Sequence, residues 1–211
     1  MKVEGTVGPR TLADGTDAAP RLTKDGSQAI AAAHGRWHEI ALRGKLFMLD
    51  SDSVTMAAAN ATKGAGGTIK LVNGVYNPPT SGVNLSILLA QVATVSGTPA
   101  GPFYYNFLEA VSTLAATGTI RSGMLGQVGS AVTPQVNTAV TLSGGATTAF
   151  KQLGVLGGPA AIASGAGMYD VRDEVEGRII VPPGVIFGIA GVGAGTSHVV
   201  QSTLVWEEVA V

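Results

Sequence analysis

The sequence predicts an all-β sandwich, and three observations indicate it. Short segments that alternate apolar and polar residues recur along the chain, Gly and Pro turns separate them, and no apolar pattern of period 3.6 is sustained. At 211 residues the chain can bury a core without a disulfide or metal ion. We expect a jelly-roll-like domain over residues 45–211, preceded by an extended N-terminal arm over residues 1–44.

Three segments have the period of a strand with one buried face. Val83–Ile87 and Gln135–Leu142 alternate apolar with polar residues, as side chains on opposite faces of a strand require. Ser202–Glu208 does the same and places Leu204 and Trp206 together on one face. We therefore expect Trp206 to be buried in the core.

Glycine and proline mark the predicted turns. Asn73-Gly74 lies between two apolar runs, which is typical of a tight hairpin, and Pro183-Gly184 suits the central positions of a type II turn. Gly64–Gly67 and Gly191–Thr196 resemble phosphate-binding loops only in composition, because such a loop must lead into a helix. A strand-like segment follows Gly191–Thr196, so a hairpin loop is expected there.

Composition excludes several classes of protein. The chain has no cysteine, which removes thiol catalysis, thiolate zinc sites and disulfide frameworks. No apolar run approaches the ~18 residues of a membrane-spanning helix, and the N-terminus lacks the pattern of a secretory signal, so neither is expected. The absence of cysteine suits synthesis in a reducing cytoplasm. A net charge of −1 argues against a nucleic-acid partner, since phosphates require clustered cations.

The charges are unevenly distributed along the chain. Seven of the 13 basic residues lie in the first 50 positions. The charged residues in Ser53–Gly167 are only five: Lys63, Lys70, Glu109, Arg121 and Lys151. Surfaces so poor in charge tend to be covered by a partner. Phe103–Leu108 is aromatic on both faces, so that strand is either central or covered by a neighbouring subunit. These features predict a cyclic homo-oligomer, and specifically a trimer.

The first 26 residues show no apolar period and are predicted to form an arm that becomes ordered on a partner. Gln28–Phe47 fits a helix or a strand equally well, because Gly35 interrupts an alanine-rich start. Six basic and aromatic residues within 1–44 are the expected contacts with the partner: Arg10, Arg21, Lys24, Arg36, Trp37 and Arg43.

The strongest catalytic candidate is the pair His34 and His38, whose spacing could share a metal ion on a helix. The catalytic form of this motif needs Glu directly after the first His, where this chain has Gly35, and no third ligand lies nearby in sequence. Surface or interface histidines are the better interpretation. A metal-dependent hydrolase acting through these two residues is the third hypothesis for function.

Two acidic groups complete the candidates for chemistry. Asp50 and Asp52 could begin a calcium loop, but the later oxygen ligands of such a loop are missing. The residues from Asp170 to Arg178 interleave four carboxylates with two arginines, which indicates a solvated turn or an intersubunit ion-pair network more than a catalytic carboxylate pair. No Gly-x-Ser-x-Gly elbow presents a nucleophile. The sequence predicts no enzyme and no cofactor.

Both ends of the chain resemble a known class of protein. Asp25–Phe47, the Val181–Gly184 turn and Thr203–Glu208 are similar to the ends of small virion proteins of tailed bacteriophages. That resemblance implies a capsid decoration, or cement, protein: a jelly-roll domain, often trimeric, that lies on the capsid exterior and clamps the major capsid protein. It implies no catalytic residues.

The main rival is a tail-fibre or spike component that binds host surface glycan. Sugars stack on exposed aromatic rings, and Trp37 and Trp206 are the two tryptophans that could provide one. Because Trp206 is predicted to be buried, the decoration hypothesis is preferred.

Overall fold

A computed structural model describes residues 36–55, 68–97, 99–109, 115–126, 129–136, 138–141, 151–157, 170–193 and 198–211. The chain divides into two units, residues 1–39 and 40–211. The strands all belong to the second unit. No helix within the described ranges is long and apolar enough to cross a membrane.

One short helix and thirteen strands lie in the described ranges. The helix α1 comprises His38–Leu42. The strands are β1 (Leu46–Thr55), β2 (Thr68–Leu71), β3 (Asn73–Tyr76), β4 (Val83–Ser96), β5 (Pro99–Leu108), β6 (Ile120–Ser122), β7 (Thr133–Pro134), β8 (Thr138–Thr141), β9 (Lys151–Gly157), β10 (Asp170–Asp173), β11 (Ile179–Val181), β12 (Ile186–Gly193) and β13 (Val199–Ala210).

The strands form two main antiparallel sheets. Sheet 1 has the order β10-β4-β13-β1-β6, and β11 also pairs with β4. Sheet 2 has the order β7-β3-β12-β5-β9, while β2 and β8 form a separate two-stranded ribbon. The buried apolar side chains of both sheets make one continuous core. The all-β sandwich predicted from the sequence is confirmed.

The connections follow a jelly roll. Sheet 1 contains β1, β13, β4 and the β10/β11 pair, and sheet 2 contains β3, β12, β5 and β9. The chain therefore passes from sheet 1 to sheet 2 and back, with its last two strands, β12 and β13, lying inside the sheets between earlier ones. This interleaving of eight strands in two sheets is the jelly-roll arrangement. The strands β6 and β7 are additions between β5 and β9.

The alternation of β13 produces its burial. Val200, Leu204 and Trp206 are completely buried, and the Phe47 ring of β1 stacks on Trp206 with ring centroids 6.2 Å apart. The predicted burial of Trp206 is confirmed. Glu208 continues the same face and is also buried, where its carboxylate accepts hydrogen bonds from the Ser130 hydroxyl (2.6 Å) and the Ala131 amide (3.1 Å). This carboxylate ties the chain before β7 to β13.

The aromatic strand β5 is interior to sheet 2. It pairs with β12 on one side and with β9 on the other. Phe103 and Tyr105 are buried. The ring of Tyr105 stacks on that of Phe187 in β12, with the ring centroids 5.7 Å apart. The central position is therefore the correct one of the two alternatives for Phe103–Leu108, and these aromatic residues do not by themselves require a neighbouring subunit.

The hairpin predicted at Asn73-Gly74 is wrong. Both residues lie within β3, which pairs with β12 and β7, whereas the preceding strand β2 pairs with β8. The Asn73 side chain is buried and crosses the core to sheet 1, where its amide donates to the carbonyls of Leu49 (2.8 Å) and Ser202 (3.0 Å). Asparagine suits this position because its side-chain amide can donate to both of these backbone carbonyls, and it thereby bridges the two sheets.

Two further turn predictions have different outcomes. Gly184 has φ 86°, as the second central position of a type II turn requires, so the Pro183-Gly184 turn is confirmed; it joins β11 of sheet 1 to β12 of sheet 2. The hairpin predicted at Gly191–Thr196 is wrong, because β12 and β13 belong to different sheets and do not pair. Gly64–Gly67 lies outside the described residues.

The remaining ambiguous segments are partly resolved. In Gln28–Phe47, residues 38–42 are helical and the chain enters β1 at Leu46, while residues 28–35 lie outside the described part. The single strand predicted over Gln135–Leu142 is wrong, because β7 ends at Pro134 and β8 comprises only Thr138–Thr141. Gln135 itself is buried, and its amide donates to the Ala115 carbonyl at 3.0 Å.

Candidate functional site

A polar groove of about 450 Å³ lies on sheet 1 and is the best candidate site in the described residues. It spans the three central strands of that sheet. We call it the sheet 1 groove; its lining residues are Asp50, Ser51, Asp52, Gln91, Ala93, Gln201, Ser202 and Thr203. The register sets Asp50 opposite Thr203 and Thr203 opposite Gln91, so these three side chains form one row across β1, β13 and β4.

A β-bulge shapes one side of the groove. Ser51 pairs with Ser202 and Val54 pairs with Val200, so Asp52 and Ser53 together oppose Gln201. An extra residue of this kind bends a strand and turns a side chain away from its regular direction. The Ser51 hydroxyl accepts the Ser202 amide at 2.8 Å and holds the strands together at the bulge.

The buried Asn73 amide secures the same place from the core side. Its bonds to Leu49 of β1 and Ser202 of β13 join the two strands that flank the bulge. A groove fixed by hydrogen bonds on both faces of the sheet needs little rearrangement to accept a ligand, and this reduces the entropic cost of binding.

The groove offers acceptors and donors with few apolar atoms. The Thr203 hydroxyl donates to an Asp50 carboxylate oxygen at 2.7 Å, and the Gln91 amide donates to Asp170 at 2.9 Å. Asp52 and Gln201 are both exposed at its surface. Carboxylates and amides together complement ligands that carry both hydroxyl donors and acceptors.

The predicted partner contacts are only partly described. Arg10, Arg21 and Lys24 lie outside the described residues. Arg36 is exposed, and its guanidinium carbon lies 5.9 Å from the ring centroid of the half-buried Trp37, within the range of a cation–π contact. Arg43 is exposed after α1 and belongs to the second unit. Their role in binding a partner stays a prediction.

The metal candidates do not assemble into a cluster where they are described. His34 lies outside the described residues, and His38 begins α1. Asp50 and Asp52 line the sheet 1 groove. Among the described residues, no group of three or more His, Asp or Glu side chains could hold a metal ion.

The acidic segment from β10 to Arg178 ends in a turn, and ion pairs within the chain brace it. Arg172 contacts Glu174 at 3.1 Å, and Arg178 contacts Asp173 at 2.8 Å, with all but the last of these side chains largely exposed. Asp173 also accepts the Tyr105 hydroxyl at 2.9 Å, which links sheet 2 to sheet 1. Burial, together with this hydrogen bond, raises the pKa of Tyr105 well above its usual range. These contacts support structure, because each group is already paired.

Sequence reasoning missed most of the groove. Gln91, Gln201 and Thr203 are single polar positions in strands that alternate, and their outward direction was the only available signal. Their meeting depends on pairing between strands more than 100 positions apart in the chain.

Comparisons with protein-family models, with curated proteins and with solved structures found no match to this chain.

Proposed function

We propose that this chain is a structural virion protein, a decoration protein that forms a homotrimer on the exterior of a tailed-phage capsid and binds the major capsid protein. The resemblance of its ends to such proteins motivates the proposal, and the jelly-roll arrangement is compatible with it, since viral capsid domains use this fold. Because one fold serves many functions, the fold alone does not support this proposal, which depends on features of the protein surface.

The observation that carries it is an exposed aliphatic surface at one end of sheet 1. Ile180 of β11 is 53% exposed and Val209 of β13 is 45% exposed. They flank β4 on the same face, because Ile180 pairs with Ser86 and Val209 pairs with Asn84, two residues along. Neighbouring exposed aliphatic side chains on one face of a sheet favour association with another copy.

Sedimentation velocity at micromolar concentration tests the self-association. We expect the parent to sediment as a trimer and Ile180→Lys to sediment as a monomer with an unchanged melting temperature, because a charge in an apolar contact is costly to bury. Val95→Lys is the matched control: Val95 is 47% exposed at the other end of β4, so this variant should remain trimeric. A parent that sediments as a 21.2 kDa monomer contradicts the trimer.

Attachment to a larger assembly needs a separate measurement. The test compares the intact chain with a chain that lacks residues 1–26, using purified phage capsids that the intact chain decorates. We expect the affinity of the truncated chain for these capsids to be lower by orders of magnitude. The mixed charges of residues 1–26 suit a contact with the surface of a partner and not packing in the core. The melting temperature and oligomeric state of the remaining chain should therefore be nearly unchanged. Equal binding by the truncated chain would move the contact to another surface.

The sheet 1 groove favours a second function, the binding of a neutral glycan. Its two carboxylates, Asp50 and Asp52, repel anionic sugars, while the exposed Asp52 and Gln201 side chains offer acceptors and an amide donor to the hydroxyl groups of neutral ones. A hydrogen bond to a charged group contributes ~1.5–3 kcal/mol. A glycan would bind in the sheet 1 groove, whereas self-association of a decoration protein would use the exposed surface of Ile180 and Val209. Substitutions in the two places can therefore test the two functions separately.

Binding of immobilised neutral and sialylated oligosaccharides tests the glycan candidate. We expect neutral oligosaccharides to bind and Asp52→Ala to weaken them at least ~10-fold, as the loss of such a hydrogen bond implies. Thr55→Ala is the control, since Thr55 is exposed on the same strand outside the groove. No binding at millimolar concentration, or equal weakening by Thr55→Ala, would remove this candidate.

A further inference from the structure

A buried histidine lies at the end of the sandwich where β13 begins. His198 is 1% exposed and directly precedes Val199, the first residue of β13. Its Nε2 lies 3.2 Å from the Thr94 hydroxyl of β4, and its ring centroid is 6.2 Å from that of Phe103 on β5. The imidazole thus contacts one strand of sheet 1 and one strand of sheet 2.

The bonding of this ring suits its neutral form only. Nδ1 is buried and has no hydrogen-bond partner within the described part of the chain. A protonated imidazole donates from both nitrogens, so protonation here would leave a buried N–H and a buried positive charge unpartnered. Burial accordingly lowers the pKa of His198.

The described surroundings provide no charge to compensate. The contact on β4 is the neutral Thr94, and the contact on β5 is the aromatic Phe103. Along the inward face of β5 the next titratable group is Tyr105, whose hydroxyl already donates to Asp173. Along the inward face of β13 the next side chains are Val200 and Ser202, neither of which carries a charge.

The backbone is irregular at this same end. The β4–β13 ladder shifts register between Val199 and Val200, because Val199 pairs with Ser96 and Val200 with Thr94. The β5–β12 ladder shifts between Gly191 and Gly193. Irregular ladders at the end of a sheet open at lower cost than the regular centre.

We propose that His198 is an acid-sensitive latch: its protonation withdraws the ring from between the sheets and opens the end of the sandwich formed by the start of β13, the end of β4 and the start of β5. The latch is closed at neutral pH, when the ring is neutral and fills the space between Thr94 and Phe103. It goes beyond the proposed functions, since a trimeric decoration protein and a glycan-binding protein are both compatible with it.

The direction of the effect follows from proton linkage. Near pH 7.5 the ring is neutral in both the closed and open states. As the pH falls below 6.5, the ordinary pKa of histidine, the open state binds a proton that the closed state does not, so the closed state loses stability. At pH 5 the opening equilibrium constant should increase by up to about 30-fold, the ratio that a pKa of 6.5 in the open state allows.

Amide hydrogen exchange at pH 7.5, 6 and 5, corrected for the intrinsic exchange rate, measures the opening. In the intact chain we expect the amides of Val200 and its neighbours in β13 to exchange up to ~30-fold faster at pH 5, while those near Trp206 change little. His198→Phe and His198→Gln should abolish this pH response, because neither side chain titrates in the range. The double variant His34→Gln, His38→Gln should keep it.

A second measurement keeps the proposal testable if both His198 variants fold poorly. The Cε1 proton of His198 in the intact chain reports its titration by NMR, and we expect no titration at the ordinary pKa in the closed state. Titration of His198 near 6.5 without faster amide exchange would overturn the latch. So would an undiminished acid response in a folded His198→Phe protein.

Discussion

Replacement of Trp206 by alanine is expected to remove most of the stability of this protein. Trp206 is completely buried at the centre of sheet 1 and stacks on Phe47. A buried tryptophan reduced to alanine typically costs ~3–5 kcal/mol, against the ~5–15 kcal/mol that stabilises a domain. Denaturant unfolding followed by circular dichroism should show a large decrease in the transition midpoint, or no cooperative transition at all.

Trp206→Phe is the matched control, and the structure specifies why. The indole Nε1 is buried without a hydrogen-bond partner among the described residues, so phenylalanine removes a polar atom that forms no bond there. It keeps an aromatic ring against Phe47 and leaves a smaller cavity than alanine does. We expect a clearly smaller loss than for Trp206→Ala. A Trp206→Ala protein that melts within a degree or two of the parent would contradict the burial of this residue.

Gly188→Ala is expected to destabilise the protein strongly, because the added methyl group would meet backbone atoms of β3. Gly188 pairs with Gly74 between β12 and β3. A methyl group at Gly188 would lie 2.8 Å from the Asn73 carbonyl oxygen and 3.0 Å from the Gly74 Cα. Overpacking usually costs ~1–3 kcal/mol, and we expect this substitution at or above the upper end because backbone atoms must move.

Gly82→Ala separates this clash from the general effect of replacing glycine. A methyl group at Gly82 meets nothing within 4 Å, but its φ of 68° is left-handed, which costs an L-residue roughly 1–2 kcal/mol. Thermal unfolding of both variants should therefore show the lower midpoint for Gly188→Ala. If the two variants melt together, or if Gly188→Ala is the more stable, the close packing of β3 against β12 is not as described.

Elements with strong local patterns were predicted well from the sequence. Val83–Ile87 lies in β4 and Ser202–Glu208 lies in β13, because alternating burial depends only on neighbouring positions in one chain segment. Asn73-Gly74 has the local pattern of a hairpin and yet is part of a strand. Its glycine serves the close approach to Gly188, and its asparagine serves acceptors on sheet 1.

The candidate site was not predicted. Asp50 and Asp52 were considered only as the start of a calcium loop, which the sequence did not favour, and the structure places both in the sheet 1 groove. Gln91 and Thr203 were not recognised, because single polar residues on the outer face of a strand carry no distinctive spacing. Residues 1–26, which were expected to bind a partner, lie outside the described part of the chain.

The sequence by itself determined that Val83–Ile87 and Ser202–Glu208 lie in strands and which of their faces is buried, including Leu204 and Trp206. The reason is that a period of two acts locally and needs no knowledge of the partner strand. Only the tertiary structure decided that β13 lies between β1 and β4, that Glu208 accepts from Ser130, and that His198 lies between the two sheets. Those contacts join residues distant in the chain, and their register follows from packing both sheets into one core.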